Sequence, residues 1–203
     1  MFDKNSLRIA HKARLKRQTN LAGTRAVLKA KKLIFSLIKG KKAPKVLLFA
    51  PLAYEPDILK LRRTLSPKAQ LFLPFMLDKS LKIVKLRLPL KKDRFNVRQA
   101  MDSNAYIPHL DLALIPVIGV DVNMGRIGHG FGFYDRFFGG FKRLKTIIFI
   151  SSQDLFVNVK VCDPHDIRGD FYISPKNIRT NYDRNHRSGG HWGHRRRGRL
   201  WSS

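Results

Sequence analysis

The sequence predicts an α/β domain built on a mixed or mostly parallel sheet, and three observations carry that reading. Short apolar runs at Val46 to Ala50, Gln70 to Phe75, Leu112 to Val120 and Thr146 to Ile150 have strand length and are separated by helical or loop segments. The Leu112 to Val120 run is apolar without alternation, the pattern of a strand covered on both faces. From Asn5 to Leu37, by contrast, apolar residues return at helical spacing among lysines and arginines. A chain of 203 residues suits one such core with a tail better than two full domains.

Taken in order, Leu7, Leu15, Leu21, Val27, Leu28, Ile34 and Leu37 fit the apolar faces of one or two amphipathic helices, with Gly23 as the expected separator. Gly40 to Pro44 reads as a loop, and Pro51 bounds the first strand. Glu55 follows in a base-rich region, where its carboxylate either orients a cationic or amide-bearing substrate or joins a surface ion pair. Ile58 to Leu65 reads as a helix. Gln70 to Phe75 is a strand ended or bent at Pro74, and Leu81 to Leu88, with its alternating lysines, is an edge or half-exposed strand. A charged linker at Lys91 to Arg94 precedes Phe95 to Val97. Phe137 to Phe141 begins or underlies a helix that Gly139 and Gly140 cut short, and Phe156 to Val161 is a weaker strand.

The charge is the most unusual bulk property. With 41 Lys and Arg against 14 Asp and Glu, a net of +27 draws the chain towards nucleotides, nucleic acid, other polyanions or acidic membrane surfaces without choosing among them. The single cysteine, Cys162, excludes an intrachain disulfide framework and reads as a buried small hydrophobe in a reducing compartment. No apolar segment reaches the roughly 20 residues that cross a bilayer, and there is no secretory-type apolar region, so a cytoplasmic location is expected.

Composition shifts after Pro175, which divides the chain into a domain at 1–175 and a basic tail at 176–203 rich in Gly, His and Arg, expected to be disordered in isolation. Trp192, Trp201 and Arg195 to Arg197 suit base stacking and phosphate contact, as in an RNA-binding tail; a neutral solubilising extension fits equally. The tail histidines lack the spacing of a metal site.

The richest chemistry lies between Leu110 and Phe138. The buried run ends at Asp121, a turn follows at Asn123 and Gly125, and then come Gly128, Gly130 and Gly132 before Tyr134, Asp135 and Arg136. Alternate glycines suit a backbone that turns sharply or offers several N–H groups to one phosphate. Asp135 suits a phosphate-bound Mg²⁺, since hard cations take carboxylate and phosphate oxygens, and Tyr134 offers an aromatic wall or a hydroxyl. The loop is neither a Walker A loop nor a dinucleotide-binding fingerprint, and a tight structural turn fits the same glycines.

At GRIGHGFGFYDRFF the chain resembles the 5-formyltetrahydrofolate cyclo-ligase family. The resemblance extends from Lys4, Leu7 and Arg8 through Phe49, Glu55, Pro74, Asp111 to Pro116 and Asp121, and ends at Gln153, His165, Asp166 and Asp170. It differs at Phe133, where the family often has Tyr, and at His129, Phe131, Phe75 and Ala100. The resemblance implies a Rossmann-like, three-layer α/β fold. It also implies ATP-dependent, Mg²⁺-requiring conversion of 5-formyltetrahydrofolate to 5,10-methenyltetrahydrofolate, with ADP and phosphate released. Lys4, Arg8 and Arg126 are then expected at the ATP phosphates, Gly128, Gly130 and Gly132 in the phosphate loop, and Asp135 at Mg²⁺. Phe49, Glu55 and Tyr134 are expected at the folate. Beside this reading stands a basic RNA-binding protein, or a catalytically altered one, built on the same fold.

Overall fold

The computed structural model describes residues 3–17, 20–77, 80–92, 98–101, 107, 109–141 and 143–181. Helix α1 (Lys4–Lys16) and helix α2 (Asn20–Ile38) lead into β1 (Lys45–Leu47); a 3-10 turn (Ile58–Leu61) runs into α3 (Arg62–Leu65). Then follow β2 (Gln70–Met76), β3 (Leu81–Lys85), β4 (Lys91–Lys92), β5 (Arg98–Gln99), β6 (Leu112–Pro116), β7 (Gly119–Asp121) and β8 (Arg126–Ile127). Helix α4 (Phe133–Gly140), β9 (Ile147–Ile150), β10 (Phe156–Val157), β11 (Phe171–Ile173) and β12 (Ile178–Thr180) complete the order.

The main sheet has seven strands in the order β12-β11-β9-β6-β1-β2-β3. Its inner five run parallel and its two edges antiparallel. In β6 the pleat sends alternate residues to opposite cores: Leu112 and Leu114 join Ala26, Ala30 and Ile34 of α2, whereas Ala113 and Ile115 join Phe138 of α4. Both faces are therefore covered, which explains the unbroken apolar run and gives the expected three layers, with the mixed sheet in the middle. Leu114 is fully buried, and its truncation to Ala is expected to cost ~2–5 kcal/mol.

The Leu112 to Val120 run is not one strand. Val117 N–H still donates to the Ile150 carbonyl at 3.1 Å, but Ile118 N–H donates to Ile127 at 2.9 Å, so the backbone changes partners there and enters a small β10-β7-β8 sheet. Pro74 neither ends nor interrupts β2. The Phe72 carbonyl accepts from Leu48 on the β1 side and the Leu71 carbonyl accepts from Leu86 on the β3 side. Pro74 shares the phase of Phe72, and its missing N–H falls past the end of β1, where no ladder bond is due. As expected, β3 is an edge strand.

Several boundaries differ from expectation. Gly23 lies inside α2 and separates nothing; α1 stops at Lys16 with Arg17 as its C-cap. Ile58 to Leu65 is 3-10 before it is α, and Phe156 to Val161 shortens to β10. Ile178 to Thr180, placed in the tail by composition, pairs with β11 as an edge strand, so the folded domain continues past 175. Phe95 to Val97, and the tail's tryptophans, histidines and Arg195 to Arg197 run, lie outside the described residues. No helix among the described residues is long and apolar enough to cross a membrane.

Candidate active site

The glycine loop joins β8 to α4, and its glycines serve different ends. A Cβ at Gly128 would lie 2.3 Å from Nη1 of Arg126, so that position must be bare for the guanidinium to fold across it. Gly132 has φ of 64° and is the N-cap of α4, a left-handed entry without a capping side chain. The first-turn N–H groups of α4 are consequently left for an anion, which the helix dipole also favours.

Helix α1 brings two cations to this loop. Asp3 caps it, accepting from Asn5 and Ser6 N–H at 3.2 and 3.1 Å, and Lys4 and Arg8 follow one turn apart on the same face. Arg8 Nε donates to the Gly128 carbonyl at 3.0 Å and its Nη1 to Asn5 Oδ1, which braces the loop against α1. Lys4 Nζ pairs with Asp163 at 3.3 Å and, more closely, with Asp166. Burial works against the charge on Lys4, but the Asp166 carboxylate outweighs it and the pKa of the ammonium is raised.

These residues line a cavity of about 960 Å³. Lys4, Arg8, Arg126, Gly128, Gly130, Gly132 and Asp135, expected at phosphates and metal, all reach it. Asp135 is engaged: its carboxylate pairs with the buried Arg126 and also accepts from Ile167 N–H at 3.3 Å. Three further residues of this cavity were not singled out as ligands from sequence. Asp163, His165 and Asp166 place one donor atom each within 4.8 Å of one another. Their only local signal is the acid and histidine spacing of DPHD.

The aromatic half of the site is a neighbouring cavity of about 550 Å³ that shares Arg126 and Gly132 with the first. Phe49, Glu55 and Tyr134, expected at the folate, line it together, beside Pro74, His129 and Phe133. The Glu55 side chain is 8% exposed and accepts from Leu52 N–H at 2.9 Å. Burial pushes its pKa up to about 7. The surface ion pair weighed for Glu55 is therefore not what forms.

His129 enters this network from the glycine loop. Its Nε2 stands 2.6 Å from the Tyr54 hydroxyl and 4.0 Å from Glu55. Burial, then Lys12 and Arg126, lowers the His129 pKa to about 4, while burial and Glu55 raise Tyr54 to about 12. With the imidazole neutral and the phenol protonated, the two share a single hydrogen bond whose direction follows the ring tautomer. Tyr54 was not singled out from sequence, and His129 only as a departure within the glycine loop, because the two lie far apart in sequence and meet only across the fold.

Two residues are structural. Asp121 is fully buried and accepts four backbone N–H bonds: Asn123 and Gly125 at 3.0 and 2.7 Å, Val161 and Cys162 at 3.1 and 3.0 Å. It thereby ties the turn before the glycine loop to the segment that carries Asp163 and Asp166. Cys162 is buried as expected, and burial with Asp121 pushes its thiol pKa up, away from nucleophilic use.

An uncapped helix start behind a glycine loop, cationic side chains, and an adjoining aromatic cavity lined by one acid among the described residues form a site with the chemistry to take an anionic ligand beside a second, aromatic one. The model of the 5-formyltetrahydrofolate cyclo-ligase family matches residues 1–168, and the chain belongs to that family. Two solved structures share its fold. One is the 5,10-methenyltetrahydrofolate synthetase of Aquifex aeolicus, 22% identical over 94% of this chain and 96% of that one, with a TM-score of 0.71. The other is the 5,10-methenyltetrahydrofolate synthetase of Mycoplasma pneumoniae, 19% identical over 86% and 99%, with a TM-score of 0.64. No curated protein matches the chain by sequence.

Proposed function

We propose that this chain catalyses the ATP-dependent cyclisation of 5-formyltetrahydrofolate to 5,10-methenyltetrahydrofolate, releasing ADP and phosphate. The observation that carries this reading beyond family membership is that the phosphate cavity and the aromatic cavity meet at Arg126 and Gly132. There a formyl oxygen held by one cavity faces a terminal phosphate held by the other.

The formyl oxygen attacks the γ-phosphorus and the bond to ADP breaks. The activated carbon is then attacked by N10, which loses its proton, and phosphate departs with the former formyl oxygen. Positioning and charge stabilisation do most of this work, and the uncapped α4 start, Lys4, Arg8 and Arg126 supply the positive field. Among the described residues Glu55 is the carboxylate that lines the aromatic cavity, and a pKa near 7 suits it to hold the N10 edge and take the released proton. Phe49 and Tyr134 wall the ring system.

The donor set also fits Mg²⁺: Asp135 and Asp166 offer hard carboxylate oxygens to the same cavity. Bound with ATP phosphates, the ion would neutralise their charge, and the two carboxylates would exchange part of their present contact with Arg126 and Lys4 for it.

The test is turnover by the purified protein with ATP, Mg²⁺ and 5-formyltetrahydrofolate, followed by methenyltetrahydrofolate absorbance. Formation that requires all three supports the proposal; none, under conditions where an active cyclo-ligase turns over, overturns it.

A further inference from the structure

The glycine loop carries one side chain between Gly128 and Gly130, that of His129. The two glycines line the phosphate cavity, whereas His129 lines the aromatic one. Before it, the Gly128 carbonyl accepts from Arg8 Nε at 3.0 Å. After it, Gly130 has φ of 101° and open space where a Cβ would stand, so the backbone is braced on one side of His129 and least hindered on the other.

Nε2 of His129 stands in hydrogen-bond contact with the Tyr54 hydroxyl at 2.6 Å, across 75 residues of sequence. Tyr54 is fixed in turn. Its carbonyl accepts from Ser152 Oγ, and the next residue, Glu55, exchanges two bonds with Leu52: Glu55 N–H donates to the Leu52 carbonyl at 3.0 Å, and the Glu55 carboxylate accepts from Leu52 N–H at 2.9 Å. The His129–Tyr54 bond thus joins the loop that faces phosphate to the turn that presents Glu55. The imidazole is 23% exposed, so water, which would compete for both partners, is largely kept from the bond.

We propose that His129 is a positioning residue that couples the two cavities, so that nucleotide bound at the glycine loop tightens folate binding and folate tightens nucleotide binding. The proposal rests on the ATP and folate reading of those cavities. Phosphate oxygens that accept from the loop's N–H groups select one arrangement of residues 128–132, and His129, lying within that stretch, is carried with it. The Tyr54 hydroxyl and the Glu55 turn are then held where the folate meets them. Linkage makes the effect equal in both directions. One hydrogen bond between neutral groups is worth at most about tenfold in an equilibrium constant, which sets the size of the coupling.

The test is calorimetric binding of 5-formyltetrahydrofolate to the full chain, alone and with a saturating, non-hydrolysable ATP analogue and Mg²⁺. The wild type is expected to bind the folate about five- to tenfold more tightly when the analogue is present. H129F keeps an aromatic ring and Y54F removes only the hydroxyl; each is expected to bring the enhancement below about twofold. H129Q, whose amide can also bond a hydroxyl, is expected to keep most of it. A merely structural loss weakens the binding of folate and analogue alike and leaves the ratio unchanged. No enhancement in the wild type, an unchanged enhancement in H129F or in Y54F, or an equal loss in H129Q and H129F overturns the coupling. Failure to turn over with ATP and folate bound overturns the cyclo-ligase reading while the ratio still decides the coupling; failure to bind either ligand overturns both.

Discussion

The guanidinium of Arg126 occupies the space that a side chain at position 128 would need, with Nη1 2.3 Å from where a Gly128 Cβ would stand. The same guanidinium pairs with Asp135 and lies over the Tyr134 ring at 5.4 Å, so one arginine ties the glycine loop to the start of α4 and to both cavities. G128A is therefore expected to expel Arg126 from Asp135. The expected result is a loss of roughly 100-fold or more in kcat/KM, from misplaced phosphate-binding groups, with ~1–3 kcal/mol of stability. Steady-state kinetics and denaturant unfolding check this; unchanged kinetics would show that the loop tolerates the displacement.

Lys4 and Asp166 form a pair across the fold with side-chain exposures of 14% and 7%. Removing one partner strands the other, so K4M and D166N are each expected to cost about 1–3 kcal/mol. The double variant should cost clearly less than their sum, which a double-mutant cycle by urea unfolding reads directly. K4M should also raise the KM for ATP, whereas an additive cycle would deny the coupling.

Glu55 makes stability depend on pH in a direction opposite to the usual carboxylate. Its pKa is raised to about 7 by burial, so the folded state keeps a proton that the unfolded chain releases near the ordinary carboxyl value of 4.5. Stability from this group is full below about 4.5, declines as pH rises to 7, and by pH 8 has lost about 3 kcal/mol. E55Q should thus match the wild type near pH 4.5 and be more stable at pH 8, while losing roughly 10- to 100-fold in kcat/KM with its charged contact to folate. His129, lowered to about 4, contributes with the other sign: its share is full above 6.5 and is lost as pH falls to 4. The comparison of E55Q with wild type across pH separates the two.

Removal of divalent metal with EDTA should abolish turnover, and Mg²⁺ should restore it. D135N should raise the Mg²⁺ needed for half-maximal rate by roughly 10-fold, because a hard cation loses an oxygen donor and Arg126 loses its counter-charge. A D135N enzyme with an unaltered Mg²⁺ requirement would remove Asp135 from the metal.

Local chemistry along the chain was enough for the α/β class, the doubly covered central strand, the β3 edge and the glycine loop. Each depends on spacing within a few residues: unbroken apolarity, alternate lysines, alternate glycines. Tertiary structure decided what depends on distant partners. The Leu112 to Val120 run gives no sign of the switch at Ile118, because the switch is made by the Ile127 carbonyl. Pro74 looks like a breaker until the end of β1 removes any need for its N–H, and Ile178 to Thr180 looks like tail until β11 supplies a ladder. The active site divides the same way. Gly128 was legible as bare backbone but not as the bed of Arg126. Glu55 was legible as a carboxylate among bases, yet its burial, its raised pKa and its neighbour His129 depend on packing between segments far apart in sequence.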